Sequence, residues 1–518
     1  MDFRTRRIII NTAVGTWARI ASLLIGFFTA PILFNHLGSE QFGLFAILGS
    51  LAAYAGLLDF GIGPGLIKHF TEFSERDDPL AVRQVTTFAT LFYLLLGVVF
   101  TPIVYYLAPT LSNLLSVNSD MQDLARICII SMFLYFILSG ISGIFSARLV
   151  SLHRMDITAS IGLVGQIIYG ISVFIIIPLY PTVIAAIMLV YLQLFVNGVS
   201  TFLIVVRREP RVFSDPRKIP ISLVRKLFAF GGWMQLNGLS ALINLEADKL
   251  IIAAFVNLET VAFYQLGNRL AALNRVLPFQ LLSAVMPAAS SIRIKNDPNS
   301  IEVFYTHTSR YLMLITMMIT GFVSIAAGHI LTVWLGKPNP EAAYVTIALS
   351  ISFALNNLTG AGTTIVRGAG LPRYETYYAW VSSVLNVIIT VVLAKPFGIA
   401  GILVGTIIGN IIGSLYFLVL FHHVFKFPWS RSIGVWIWKL VFSTGVACLA
   451  VWLIELAFPV GYSLSRWFEL SLVTATGLLY LGVFFGALTL LKFWTDEDKD
   501  AFRRFALRVL PLRRGRTL

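Results

Sequence analysis

Residues 8–35 read IIINTAVGTWARIASLLIGFFTAPILFN, and residues 41–70 read QFGLFAILGSLAAYAGLLDFGIGPGLIKHF. Each stretch is long enough to cross a hydrocarbon core of ~30 Å as a helix rising 1.5 Å per residue. Only the short polar segment HLGSE separates them. The pattern repeats along the chain, with spans expected at 8–35, 41–70, 82–109, 121–150, 156–179, 182–206, 221–255, 259–291, 302–334, 341–369, 373–395, 398–425, 432–458 and 467–493. The fold class is therefore all-α integral membrane, with about fourteen transmembrane helices.

Composition agrees. The hydrophobic fraction is 57%, the mean hydropathy is +0.82, and charged residues are 12% against about 25% in ordinary soluble domains. The formal net charge is +14. Most of that charge lies in short loops between spans, where it sets membrane orientation, so nucleic acid is not an expected partner. Cys128 and Cys448 both lie in apolar spans and have neither disulfide nor metal-site spacing. Met1–Arg7 mimics the start of a secretory signal. The apolar run behind it is too long, carries Arg19 and lacks a small-x-small cleavage site, so an uncleaved first span is expected.

Alternate connectors differ in charge. One set holds Arg4, Arg6 and Arg7; Lys68, Arg76 and Arg83; Arg148 and Arg154; Arg207, Arg208, Arg211, Arg217 and Lys218; Arg293 and Lys295; Arg367 and Arg373; Lys426 and Arg431; and the Arg-rich tail. The other set, 36–41, 110–120, 179–181, 256–260, 335–341, 395–398 and 459–466, has only Lys337, Lys395 and Arg466 besides His36. The positive-inside rule puts the first set and both termini in the cytoplasm. Tail residues 494–518 suit either an amphipathic helix on the anionic inner leaflet or a solvated topogenic tail.

The turn GSEQFGLF at 38–45 is echoed by NLETVAFY at 257–264, at an offset near half the membrane domain, with Trp17 and Trp233 at matching depths before the two turns. A parallel repeat is expected: an N-terminal lobe at 1–206, a basic linker at 207–220, a C-terminal lobe at 221–425, two additional helices at 426–493 and a basic tail at 494–518.

Ionisable residues inside spans are costly in lipid and mark candidate sites. Asn11, Gly15, Arg19, Ser22, Gly26 and Thr29 share one helical face, which suits a cavity lining or a tight helix seam. Asp59 precedes Gly61-Ile62-Gly63-Pro64-Gly65, a stretch expected to interrupt the helix, and is a candidate partner for Arg19. Asn237, Asn244 and Asp248 share a face, and Glu246 and Lys249 are i, i+3 partners. Asn268 and Arg275 share a face with Arg269 beside them. Asp248 is a candidate partner for Arg269, which leaves Arg275 for an anionic ligand. His69, His307 and His329, near span ends, read as interfacial packing, and His422-His423 as topological.

No Gly-x-x-x-x-Gly-Lys-Ser/Thr loop is present, so ATP hydrolysis is not expected. No loop carries a paired catalytic His/Asp or carboxylate motif. Neither enzymatic activity nor a cofactor is predicted.

Pro31–Phe45, Leu57–Leu66, Asp248–Ile252 and the Glu259–Tyr264 turn together resemble the polysaccharide transporter, or O-antigen and exopolysaccharide flippase, branch of the multidrug/oligosaccharidyl-lipid/polysaccharide superfamily. The resemblance covers nearly the whole chain. It implies two six-helix lobes arranged as a V around a central cavity, plus two C-terminal helices. It implies alternating access in a bacterial inner membrane and translocation of an undecaprenyl-diphosphate-linked oligosaccharide for surface polysaccharide. The partners implied are that substrate, membrane lipids and a polysaccharide polymerase complex. Carried over by position, Arg19, Asp59, Asp248, Lys249, Arg269 and Arg275 line the cavity. The substrate-binding set is then Arg19, Arg275, Arg269, Lys249, Asn244 and Asn268, with Asp59, Asp248 and Glu246 in coupling or gating. Two alternatives stand beside this: a multidrug or small-cation exporter of the same superfamily, with an acidic cavity, and a membrane-integral glycan-processing enzyme.

Overall fold

The computed structural model describes residues 3–279, 282, 298–428, 433–461 and 465–500, and its regular structure is helical, with no strand among the described residues. Arg293, Lys295, Arg431 and the tail beyond Asp500 lie outside them, as do the side chains of Trp233 and Asn237. The helices in chain order are α1 (Phe3–Ala55), α2 (Ile62–Glu75), α3 (Pro79–Leu114), α4 (Gln122–Ser151), α5 (Met155–Leu179), α6 (Val183–Arg208), α7 (Ile221–Phe255), α8 (Leu258–Ala271), α9 (Pro298–Ile325), α10 (Ala327–Leu335), α11 (Pro340–Asn357), α12 (Gly360–Gly368), α13 (Arg373–Phe425), α14 (Val435–Ala457) and α15 (Arg466–Leu490).

Two compact units result. The first runs to Arg269 and adds Ala379–Gly409; the second is Leu270–Tyr378 with the chain from Asn410 onward. In the first, α1 packs on α5, α3 and α6 pack on α4, and α2 packs on α4 and α7. Ile62, Leu66, Phe70, Val85, Tyr93 and Ile144 fill one of its cores. In the second, α9 packs on α11 and α14, and α15 packs on α10 and α14. Tyr305, Phe417, Phe421, Trp436, Tyr480 and Phe484 form its core. Large apolar side chains also cover the outside: Val98 is 74% exposed and Leu478 68%. Lipid contact explains that pattern, because these helices have no aqueous face to make polar.

Ten helices among the described residues are long and apolar enough to cross a membrane, against the fourteen or so expected. Two of the ten, α1 and α13, each join two expected spans across a break, at Gly38 (φ 79°, ψ 171°) and Gly398 (φ 54°, ψ −134°). Helix α7 carries Glu246, Asp248 and Lys249, and the stretch after Leu258 is only partly among the described residues. The interruption expected near 61–65 is present. A short 3₁₀ turn at Gly56–Asp59 leads through Phe60 (φ 50°) and Gly61 (φ 75°) into α2. Gly61 is required twice over: its φ is left-handed, and a Cβ there would stand 2.0 Å from the Gly231 carbonyl oxygen.

The first unit sorts its connectors into two ends. At one, Asn118 donates to Glu40 (2.6 Å), the Val183 amide to Gln41 (3.0 Å) and Ser39 to Glu259 (3.0 Å). At the other, Asn11 meets His153 and Asp156, Arg148 meets Glu209, and Gln84 donates to the Lys218 carbonyl (2.7 Å). The first group lies in or within a few residues of the charge-poor connectors and the second in or within a few residues of the basic ones. The second unit follows suit: Arg466 donates to the Val333 and Trp334 carbonyls, and Lys439 to the Lys492 carbonyl. The Ser39–Glu259 bond also joins the two echoed turns. Gly43 presses against the Leu258 carbonyl there, so closely that a Cβ would lie 1.9 Å from its oxygen.

Candidate functional site

Near its C-terminal end, α7 divides its ionisable residues between two faces. At about 100° per residue, Glu246 and Lys249 stand about 60° apart, while Asp248 points about 160° away from Glu246. Helix α8 makes the same division, with Gln265 and Arg269 on one side and Tyr264 on another. The two helices therefore build one polar site facing a cavity and one buried within the packing.

The cavity, of about 400 Å³, lies inside the first unit. Its apolar wall comes from Phe42, Phe45, Ala46, Gly49 and Ala52 of α1, Met132 and Tyr135 of α4, and Val190 of α6; Glu246, Lys249, Gln265 and Arg269 supply the polar groups. Glu246 accepts from Lys249 (2.5 Å) and from the Ser50 hydroxyl (2.6 Å). Arg269 reaches α1 and donates through Nη1 to the Gly26 carbonyl (2.6 Å). That uses one of its five N–H donors. With one carboxylate against two cations, the cavity carries a formal net charge of +1. Charges buried among apolar side chains are expensive unless compensated, so the cavity favours an anion. The Gln265 carbonyl oxygen is buried with no hydrogen-bond partner among the described residues.

Asp248 occupies the closed face. It is 4% exposed and accepts from Tyr264 and Thr406 at 2.8 Å each. It forms no ion pair with Arg269, because the two side chains leave their helices in different directions. Asp59 likewise does not meet Arg19. It accepts from the Gly61 amide (2.5 Å) and the Gly63 amide (3.3 Å), with the Tyr93 hydroxyl at 3.5 Å. A carboxylate beside a broken helix finds free amides at once. Arg19 is exposed and has no ion pair or hydrogen bond among the described residues. Asn244 donates to Ser383 on α13 (2.6 Å), which makes it part of a helix seam, and Asn268 is half-buried. Arg275 follows α8 in a helical run, in the second unit, exposed and with its guanidinium 5.5 Å over the Phe353 ring.

Of the residues singled out in the sequence, the structure thus gathers Glu246, Lys249 and Arg269 around one cavity. It adds Ser50, Gln265 and Tyr135, which sequence reading passed over. Gln265 was accessible to it, since Gln265 and Arg269 are an i, i+4 pair on one face of α8.

Residues 8–293 match the family described as polysaccharide biosynthesis protein. A relative named putative O-antigen transporter, from Shigella flexneri, is 21% identical over 407 residues, covering 76% of this chain and 93% of that one. Among solved structures, the lipid II flippase MurJ in an inward closed conformation superimposes with a TM-score of 0.69 at 16% identity, over 93% of this chain and 100% of that one. An inward-facing multidrug resistance MATE family transporter of the MOP superfamily gives 0.65 at 15% identity, over 81% and 98%. At these identities the two structures establish the fold alone.

Proposed function

The chain belongs to the polysaccharide biosynthesis protein family, and on that premise we propose that it is a flippase moving an undecaprenyl-diphosphate-linked oligosaccharide across a bacterial inner membrane. The observation that carries the proposal is the net positive cavity of the first unit. Lys249 and Arg269 supply the charge-assisted donors a diphosphate needs, and Arg269 offers a planar fork suited to its oxygens. Tyr135, Phe42 and Phe45 give the sugars flat apolar surface beside those donors. The polyprenyl tail stays in lipid.

Glu246 provides the return stroke. Without ligand it neutralises Lys249; a diphosphate competes for the same ammonium, so the Glu246–Lys249 contact distinguishes an empty from a loaded state. Alternating access between a lobe at 1–206 and a lobe at 221–425, with both termini in the cytoplasm, belongs to this proposal, as does supply of the product to a polymerase complex. A cation exporter is disfavoured by the excess of cations over carboxylates around the cavity.

The test is flipping of a lipid-linked oligosaccharide by the purified chain in vesicles. Each charge-assisted hydrogen bond lost costs about 1.5–3 kcal/mol, or roughly ten- to a hundredfold. Lys249→Ala is expected to lose flipping on that scale and Lys249→Arg to retain much of it. Undiminished flipping by Lys249→Ala removes the cavity from the mechanism.

A further inference from the structure

In the second unit, His329 of α10 stands between two carboxylates from the last two helices. Its Nδ1 lies 2.7 Å from Glu469 Oε2 of α15, and its Nε2 lies 4.0 Å from Glu455 Oε1 of α14. His329 is 3% exposed and Glu469 1%. His329 Nε2, Glu455 Oε1 and Glu469 Oε1 are all buried without a hydrogen-bond partner among the described residues. Unsatisfied polar atoms so deep in a packed unit need an explanation, and three of them around one imidazole share it.

We propose that His329, Glu455 and Glu469 form a proton-binding site that fastens α10 to the two last helices. With Nδ1–H donated to Glu469, the ring presents either a lone pair or an N–H to Glu455. A lone pair against a carboxylate repels, and the two facing atoms, His329 Nε2 and Glu455 Oε1, are both buried. A proton on Nε2 turns the same gap into a charge-assisted hydrogen bond that links α14, α10 and α15 through one ring. A metal ion fits poorly: the two carboxylates take opposite sides of the ring, and no group of three His, Cys, Asp or Glu among the described residues is arranged to hold one.

The surroundings leave the ring as the point of control. From α15, Arg466 is committed to the Val333 and Trp334 carbonyls at the end of α10. From α14, Cys448 donates to the Gly321 carbonyl. Helix α11 brings only Glu341 and Tyr344, both exposed, and Lys337 is exposed in the turn after α10. Helix α9 has Glu302, His307 and Arg310 near its opposite end. His329 lies six residues before Leu335, roughly 9 Å along the helix from the charge-poor connector 335–341. Glu469 is in the first turn of α15 and Glu455 near the last residue of α14. The proton therefore exchanges with the aqueous phase on the side of the charge-poor connectors.

The test is the Tm of the full purified chain across pH. Wild type is expected to lose several degrees as the pH rises and the proton leaves. Glu455→Gln presents an amide donor to the neutral ring at every pH, so its Tm should stay at the low-pH wild-type level and lose that dependence. A Glu455→Gln profile parallel to wild type overturns the proposal. If that variant does not fold, wild type with ring-labelled histidine decides. One of the seven imidazoles must release a proton, by nuclear magnetic resonance, over the same interval in which Tm falls, and His329→Asn must remove that signal. A fall in Tm with no histidine titrating alongside it overturns the proposal as well.

Discussion

The Glu246–Lys249–Arg269 cluster and the Glu469–His329–Glu455 cluster use nearly the same parts to opposite ends. Each gathers three ionisable residues inside a membrane helical unit. The first has two cations to one carboxylate and faces a cavity of about 400 Å³. The second has two carboxylates to one imidazole, and packing buries the atoms that face each other. Where a cavity remains, unbalanced charge is available to a ligand. Where it does not, only a proton is small enough to restore the balance. Space next to the charge, more than the charge itself, separates a site open to a ligand from a fastening.

Breaking each cluster should therefore have different consequences. The largest effect is expected from Glu469→Ala, which strips a fully buried partner from His329. Removing one member of a buried pair typically costs about 3–5 kcal/mol. Thermal unfolding of the purified chain should show it as a large fall in Tm, and a Tm within a degree of wild type would mean that the His329–Glu469 contact does not hold the unit. Next comes Arg269→Glu, which turns the cavity's formal charge from +1 to −1. Flipping should fall by about a hundredfold or more from lost charge-assisted bonds alone, while Tm changes little because the cavity has room to rearrange. Loss of fold together with activity would put Arg269 in the fastening class.

These distinctions were only partly legible in the sequence. Periodicity announced the helices, and in the first unit the hydrogen bonds between connectors run within the two charge classes read from the loops. The i, i+3 spacing of Glu246 and Lys249 foretold their contact, and three glycines with a proline foretold the break before α2. The long-range pairings were less accessible. Matching Asp248 to Arg269 by distance from a turn fixes depth but not the direction in which a side chain leaves its helix. Matching Arg19 to Asp59 overlooked local competition, since the Gly61 and Gly63 amides lie within four residues of the carboxylate. The His329 site draws on three helices as far apart as residues 329 and 469, and a histidine near a span end reads as interfacial packing until its neighbours are known.

Asp248 sharpens the comparison within a single helix. It is adjacent to Lys249, yet it faces Tyr264 and Thr406 and is closed off from the cavity. Asp248→Asn keeps an oxygen acceptor for both hydroxyls, so flipping should stay within a few-fold of wild type. Asp248→Ala removes the acceptor that both hydroxyls share, although Thr406 keeps the Ile402 carbonyl, and should cost about 1–3 kcal/mol in stability. Loss of flipping in a fully stable Asp248→Asn variant would move this carboxylate into the transport site.

A further buried carboxylate lies beyond the last span. After α15, Asp498 accepts from Arg310, Tyr311 and the Thr495 amide, tying the following segment back to α9. Burial alone pushes its carboxyl up, but the bonds from Tyr311, the Thr495 amide and Arg310 outweigh it and hold the group down at about 2. A carboxyl depressed on folding stabilises fully above its ordinary value, and that contribution disappears as the pH falls toward about 2. The His329 site works in the other direction, since its fastening requires a proton and weakens as the pH rises. Asp498→Asn retains the acceptor oxygen but loses the charge, and should lower stability by about 2 kcal/mol, with the difference from wild type constant from neutral to alkaline pH and shrinking only in strong acid. Comparing the pH profiles of Asp498→Asn and Glu455→Gln therefore assigns each cluster its own sign. A matching pair of signs would show that one of the two carboxylates is not held as the structure depicts.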